Sequence, residues 1–402
     1  MRSYQLIYLL LFILFYALIT IGTNASLVQI VKSSIRKKIK WIILIYSFLL
    51  ITGFLLLYIW PDHAWKKGNY AIILIYNTFL SIDFIFKIPL SLSFLIGLLF
   101  TRNNKAVISW AGLIISICLS SNILYAGIID RHHIVLSKVE LSFTDLPQSF
   151  DGYKIIQISD IHLGNFMYSK KNLEETTQLV HKMNPDVLVF TGDLVNNYSE
   201  ELKGWGDTFR EMNKGITSIS ILGNHDYGNY SRWKSNILKE ENFEKIIEAH
   251  AQFGFKLLRN ENTVLTKGND SIYIIGVENW GHSPFPQYAD LKKAMKNVPD
   301  KAFKILLTHD PAHWNSVVKY MDNIDLTLAG HTHGMQWGIK KAGITFSLMY
   351  LIRNNWGGLY NYGKSLLYVN TGIGTIGFPW RINMPGEVTL IKLKRIEVDR
   401  KQ

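Results

Sequence analysis

Four long apolar runs open the chain, and a series of short apolar runs, each broken by a polar turn, follows them. The long runs cover about Tyr4 to Ile21, Trp41 to Trp60, Tyr70 to Phe100 and Ala106 to Ile128. Each reaches or approaches the ~20 residues a helix needs to cross ~30 Å of hydrocarbon. Buried helices of a water-soluble core are shorter and keep a polar face, so the pattern predicts four transmembrane helices within residues 1–130. The third run is the irregular one: Asp83 and Lys87 lie four residues apart on one helical face, and Pro89 follows. That pair can neutralise itself inside a bundle, with a proton or ion pathway as the alternative.

After a connector over residues 131–149 the pattern becomes that of one water-soluble domain, 150–402, without internal repeats. Lys154 to Ser159 runs into Asp160, Asp186 to Phe190 into Thr191-Gly192-Asp193, and Ile219 to Leu222 into Gly223-Asn224-His225-Asp226. Ile305 to Leu307 leads to Thr308-His309-Asp310, and Ile324 to Leu328 to Gly330-His331-Thr332-His333. The runs have the length and β-branched content of buried strands. Helical patterns over Leu173 to Met183 and Phe243 to Phe253 separate some of them. This predicts an α/β layered core with its chemistry at the carboxyl ends of strands.

Composition adds two constraints. Hydrophobic residues make up 48% and charged residues 18%, and mean hydropathy is +0.10, apolar enough to place part of the chain in lipid. Residues 1–131 hold twelve Lys or Arg against three Asp and no Glu, and so carry +9 of the total +12. The basic excess therefore flanks the apolar runs and leaves the second half close to neutral, which excludes nucleic acid as a stable partner. Lys32, Arg36, Lys37, Lys38 and Lys40 fill the first loop, and Arg102 and Lys105 lie in the third. The N-terminus and second loop offer Arg2, Lys66 and Lys67 against Asp62. By the positive-inside tendency the first and third loops are cytoplasmic and the C-terminal domain extracytoplasmic. The same pattern weighs against a cleaved signal peptide ending near Asn24-Ala25. Cys118 is the single cysteine, so an intrachain disulfide is excluded.

The five polar turns supply carboxylate, imidazole and amide donors, the ligand types of hard or borderline divalent cations. In extended backbone, Asp160 and His162, or His331 and His333, project to the same side and present two ligands from one turn. Any one of these motifs alone reads as an ordinary turn. Five in order, each after a strand, point to a metal site.

The series Asp160-x-His162, Gly192-Asp193, Gly223-Asn224-His225-Asp226, His309 and Gly330-His331-x-His333 resembles the calcineurin-like metallophosphoesterase family. Tyr368 to Gly374 and Phe378-Pro379-Trp380-Arg381 resemble its membrane-anchored bacterial branch. The resemblance implies an α/β fold in which the four-helix transmembrane region precedes a β-sandwich flanked by helices. It implies a multi-pass protein of the bacterial cell or inner membrane. It also implies two divalent cations, Mn, Fe or Zn, the first held by Asp160, His162, Asp193 and His333, the second by Asp193, Asn224, His309 and His331. Such a pair acidifies water and clamps phosphoryl oxygens for in-line attack on a phosphodiester, phosphomonoester or pyrophosphate. His225 is then left to hold the phosphoryl group or protonate the leaving group, with Asp226 orienting its ring.

His63, His132, His133, His181, His250, His282 and His313 are assigned no metal. Between the last ligand block and Tyr368 stand Met335, Trp337, Phe346, Leu348, Met349, Tyr350, Leu351, Ile352, Trp356 and Tyr360, with Lys340, Lys341 and Arg353 among them. This mixture suits a lipid or lipid-linked sugar nucleotide at a membrane surface, and equally suits packing of the domain on its own helices. A nucleotide phosphodiesterase and a non-catalytic metal-binding membrane scaffold are the alternative functions.

Overall fold

The computed structural model describes residues 2–59, 70–166, 169–281, 286–341 and 344–396. Asp62, His63, Lys66, Lys67 and His282 lie outside these residues, as do the side chains of Lys340 and Lys341. The chain divides into two units, one of Met1–Ile128 with Gly377–Trp380, the other of Ile129–Ile376 with Arg381–Gln402.

The first unit contains α1 (Arg2–Ile30), α2 (Ser33–Ile59), α3 (Tyr70–Gly97) and α4 (Arg102–Ile128). All four are long and apolar enough to cross a membrane. Leucine, isoleucine and phenylalanine cover their outer faces, while small and polar residues meet inside. Ser26 and Ser93 hydroxyls lie 2.8 Å apart, and a Cβ on Gly112 would strike Ser93, the close approach through which helices associate in lipid. Asp83 and Lys87 pair at 2.7 Å. Lys87 also donates to Tyr16 Oη at 2.8 Å and Ser47 Oγ at 2.7 Å, and Tyr16 donates to Asp83 at 2.8 Å. All three ammonium protons are used, and the network ties α1, α2 and α3 together.

The second unit is a sandwich of two six-stranded sheets. Its strands are β1 (Ile134–Phe143), β2 (Lys154–Ile158), β3 (Val187–Phe190), β4 (Thr217–Ser220), β5 (Lys256–Leu257), β6 (Glu261–Lys267), β7 (Asp270–Gly276), β8 (Phe303–Leu307), β9 (Leu326–Ala329), β10 (Gly338–Lys341), β11 (Ile344–Ser347), β12 (Gly358–Tyr362), β13 (Ser365–Val369) and β14 (Gly386–Arg395). One sheet runs β1-β14-β2-β3-β4-β5, the other β12-β13-β9-β8-β7-β6, and β10-β11 is a separate hairpin. In each sheet four consecutive strands run parallel, β2 to β5 in one, where β5 is the edge, and β13, β9, β8 and β7 in the centre of the other. Parallel strands need both faces covered, and their sequences comply. Val187 and Val189 of β3, with Ile305 and Leu307 of β8, enter the core between the sheets. Leu188 and Phe190 face Leu173, Val180, Phe209 and Ile246 on the helices α5 (Lys171–Met183), α6 (Gly206–Met212) and α7 (Asn236–Gln252). Leu306 and Val369 pack against Trp314 and Val318. Each such side chain contributes ~1.5–3 kcal/mol on burial.

Residues 131–149, read from the sequence as a connector, hold β1, which pairs in parallel with β14 from Ile134↔Gly386 to Phe143↔Arg395. Ile134 and Leu136 on one face join the core beneath the helices and Val139, Leu141 and Phe143 on the other join the core between the sheets, but Ser137, Lys138 and Glu140 break the apolar run that marks the central strands.

Candidate metal centre

The five polar turns follow the carboxyl ends of β2, β3, β4, β8 and β9, neighbours in the centres of the two sheets, and so meet at one rim of the sandwich. Backbone conformation aims the donors. Asp160, His162, Asp193, His331 and His333 all have positive φ, from 50° to 74°. The extended geometry expected of the two x-spaced pairs is therefore not what the protein uses. A left-handed residue on either side of Ile161 brings Asp160 and His162 into one donor group, whereas the same conformation on either side of Thr332 sends His331 and His333 to two different ones. Non-glycine residues hold this conformation at a cost of ~1–3 kcal/mol each, and such strain clusters at functional sites. The turns also press together backbone to backbone. A Cβ on Gly192 would lie 2.5 Å from the Gly223 nitrogen, and one on Gly330 would collide with Ser159 and Asp160.

Two donor groups result, Asp160-His162-His333 and Asp193-His309-His331, each with its ligand atoms within 4.8 Å of one another. Asp193 Oδ2 is 3.4 Å from His162 Nε2 and 3.2 Å from His309 Nε2, so it reaches both groups. Asn224 Oδ1 lies 2.8 Å from His331 Nδ1 and 3.0 Å from His309 Nε2. His309 Nδ1 donates to the Thr191 carbonyl at 2.8 Å, which leaves its Nε2 a lone pair in the neutral ring. That lone pair faces the Asn224 oxygen and the Asp193 carboxylate, and His162 and His333 approach each other through Nε2 at 3.1 Å. Imidazole, carboxylate and amide donors gathered this closely are the ligand types of divalent cations, which fit the two groups.

The electrostatics agree. Burial opposes ionisation of Asp160 and Asp193, yet the imidazoles around them outweigh it and hold both carboxyls below the usual range. Burial would likewise lower His309, but Asp193 beside it pushes the ring up to about 10. Burial foremost holds His162 well down and pushes His331 down to about 4, which keeps both as neutral ligands.

His225 stands apart from both groups. Its Nδ1 donates to the Asn196 carbonyl at 2.8 Å, and its ring lies edge-on to His162 at 4.9 Å and stacks on Tyr230 at 4.4 Å. Nε2 is thus the nitrogen left for another partner. Asp226, expected to orient that ring, serves elsewhere. Its carboxylate accepts the backbone N–H groups of Asp193, Leu194, Val195 and Gly223 at 2.8 to 3.2 Å, clamping the β3 and β4 turns, and Asn196 takes the orienting role. Burial, then Asp193, raises the Asp226 carboxyl to about 7.

Two guanidinium groups also reach this rim. Arg381 is fully buried, and its N–H groups go to the carbonyls of Thr371, Gly372, Gly374 and Met384, with Nη2 3.4 Å from His333 Nδ1. Residue type gave no hint of this role, although an arginine inside an otherwise apolar Phe378–Ile382 stretch was a signal. Arg353 donates from Nη1 to Asp310 Oδ1 at 2.7 Å. Among the described residues the remaining histidines stay out of the two donor groups. His132 meets Asn172, His181 the Glu211 carbonyl, His250 Ser220, and His313 Thr308.

The β10-β11 hairpin rises directly after His333, and Ser347 Oγ ties it back to the Gly334 carbonyl at 2.6 Å. Here the aromatic segment splits. Trp356 is buried and Tyr360 hydroxyl braces the Trp356-Gly357 turn, whereas Trp337, Phe346, Tyr350, Leu351 and Ile352 are exposed, Leu351 by 78%.

Residues 153–335 match the family model of the calcineurin-like phosphoesterases. A zebrafish transmembrane protein with metallophosphoesterase domain is 30% identical over 263 residues, 64% of this chain and 56% of the relative's length. The chain therefore spans about half of that protein. The uncharacterized metallophosphoesterase YkuE of Bacillus subtilis is 28% identical over 67% of this chain and 89% of its own length. UDP-2,3-diacylglucosamine pyrophosphatase LpxG of Chlamydia muridarum is 28% identical over 60% of this chain and 86% of its own.

Proposed function

We propose that this chain, whose residues 153–335 match the family model of the calcineurin-like phosphoesterases, is a membrane-anchored two-metal phosphoesterase acting on lipid phosphates or lipid-linked sugar nucleotides. The observation that carries the reading is the pair of donor groups joined through Asp193. Asp160, His162, Asp193 and His333 would hold one cation, and Asp193, Asn224, His309 and His331 the other. Manganese, iron and zinc all suit this nitrogen and oxygen set. Bound there, two divalent cations supply Lewis acidity toward the phosphoryl oxygens and an acidified water. The protein's own side chains do the rest. Asn196 fixes the His225 ring so that Nε2 can contact the phosphoryl group or pass a proton to the leaving oxygen. Arg381 holds the 371–384 segment around the Asp160 turn.

The lipid part rests on the exposed apolar hairpin rooted at His333 and on four helices long enough to cross a bilayer. The pyrophosphatase named among the relatives acts on a diacylated sugar nucleotide by its name, in line with this reading. The purified full chain, assayed with manganese against diacyl sugar nucleotides, phospholipids and soluble nucleotides, is expected to turn over a lipid substrate fastest. Preference for soluble nucleotides would place it among nucleotide phosphodiesterases, and two bound metals without turnover on any ester would make it a scaffold. The loop charges support a domain outside the cytoplasm by the positive-inside tendency. An alkaline phosphatase fused at the C-terminus should then be active and a fluorescent protein that matures only in the cytoplasm dark, and the reverse result would refute that orientation.

A further inference from the structure

The two guanidinium groups at the metal rim differ in what they have left to give. Arg381 is enclosed, its N–H groups on backbone carbonyls. Arg353 is 29% exposed and gives one N–H to Asp310, a carboxylate that is itself 3% exposed. Asp310 Oδ1 also accepts the Ala312 backbone N–H at 2.9 Å, and Oδ2 lies 3.9 Å from His331 Nε2. The arginine backbone is fixed as well, its N–H donating to the Met349 carbonyl at 2.7 Å. A buried carboxylate thus holds a partly open guanidinium one side chain beyond the His331 ligand, next to the exposed Tyr350, Leu351 and Ile352. Asp310 anchors the cation without enclosing it, so a second anion can bind at its open side, and the planar fork of donors matches a phosphoryl group.

We propose that Arg353 is a specificity-determining residue that binds a second phosphoryl group, adjoining the one under attack, and so selects phosphoanhydride substrates over simple esters. The inference rests on the phosphoesterase reading and deepens it. In the hydrolysis, the water oxygen bonds to the attacked phosphorus. The bond from that phosphorus to the bridging oxygen breaks, with its electron pair staying on that oxygen. The water's protons pass to the departing phosphomonoester or to solvent. Arg353 holds the departing half, while the two donor groups and His225 act on the other.

The test uses the full chain in detergent, loaded with manganese, as wild type, Arg353→Gln and Arg353→Lys. KM and kcat are measured on a nucleoside diphosphate sugar and on bis(p-nitrophenyl) phosphate, and binding of inorganic pyrophosphate and of inorganic phosphate is followed by thermal shift. Loss of a charged hydrogen-bonding contact of ~1.5–3 kcal/mol raises KM for the diphosphate by roughly 10- to 100-fold in Arg353→Gln. The rise for the aryl diester should be at least ten times smaller, pyrophosphate binding should weaken more than phosphate binding, and Arg353→Lys should recover part of both. Equal KM rises on the two substrates, unchanged pyrophosphate binding, or loss of bound manganese in both variants would overturn the assignment. A wild type inert toward both substrates counts against the catalytic reading alone, and the binding comparison then still decides the role of Arg353.

Discussion

Two clusters of buried charged and polar side chains sit in this protein, and they are built on opposite principles. In the helical unit Lys87 spends its three protons on Asp83, Tyr16 and Ser47, and Asp83 accepts from both Lys87 and Tyr16. The charges cancel and the donors find acceptors within the cluster. At the rim of the sandwich the ligand-type atoms of Asn224, His309, His331 and Asp193 crowd to within 2.8 to 3.2 Å of one another, and five of the residues there adopt a left-handed backbone. A cluster complete in itself stabilises its own surroundings. One that gathers metal-ligand atoms and is held under strain is organised around something it binds. Lys87 and Asp83 therefore read as a clasp between helices rather than an ion pathway.

The largest effect that tests this contrast lies at the bridging carboxylate. Asp193→Ala removes the donor common to both groups, and hydrolysis of an aryl phosphodiester should fall by roughly 10³-fold or more, with less than one metal retained per chain by elemental analysis. His225→Ala, in the same region but outside both groups, should cost roughly 10²- to 10⁴-fold in kcat and leave metal content at the wild-type level. If His225→Ala lost metal as Asp193→Ala does, the separation of ligand from catalytic side chain would be wrong.

The contrast also explains what could be read from the sequence. The five polar turns were legible because coordination chemistry is written in residue type, and because Val187 to Phe190 and Ile305 to Leu307 are apolar on both faces, as central parallel strands must be. The left-handed backbone at Asp160, His162, His331 and His333 was not legible, since Asp and His visit it more often than most residues but still seldom, and contacts with other turns hold them there. Glycines 192, 223 and 330 were the visible trace of that crowding. Strand β1 escaped because its partner β14 lies about 250 residues away and Ser137, Lys138 and Glu140 interrupt its apolar residues. The orienting role expected of Asp226 falls to Asn196 because a backbone carbonyl, which the sequence does not advertise, meets the His225 ring while the Asp226 carboxylate accepts backbone N–H groups.

The smallest expected effect on catalysis comes from the complete cluster, and there the energetics of pairing can be isolated. Lys87→Met leaves Asp83, 5% exposed, with the Tyr16 hydroxyl as its remaining partner from the network, and an unpaired buried carboxylate costs ~3 kcal/mol. Asp83→Leu strands the ammonium in the same way. The double variant removes both charges and replaces them with apolar groups, which a bilayer-facing bundle accommodates, so its stability should return to within ~1 kcal/mol of wild type. Unfolding of the full chain in mixed detergent micelles, monitored by circular dichroism for all four members of the cycle, measures the coupling directly. Metal content per folded molecule should stay constant across the cycle. Additive losses in the double variant would show that Asp83 and Lys87 do not work as a pair. A change in metal content would show that the helical cluster and the metal rim are linked, contrary to the independence their separate chemistries imply.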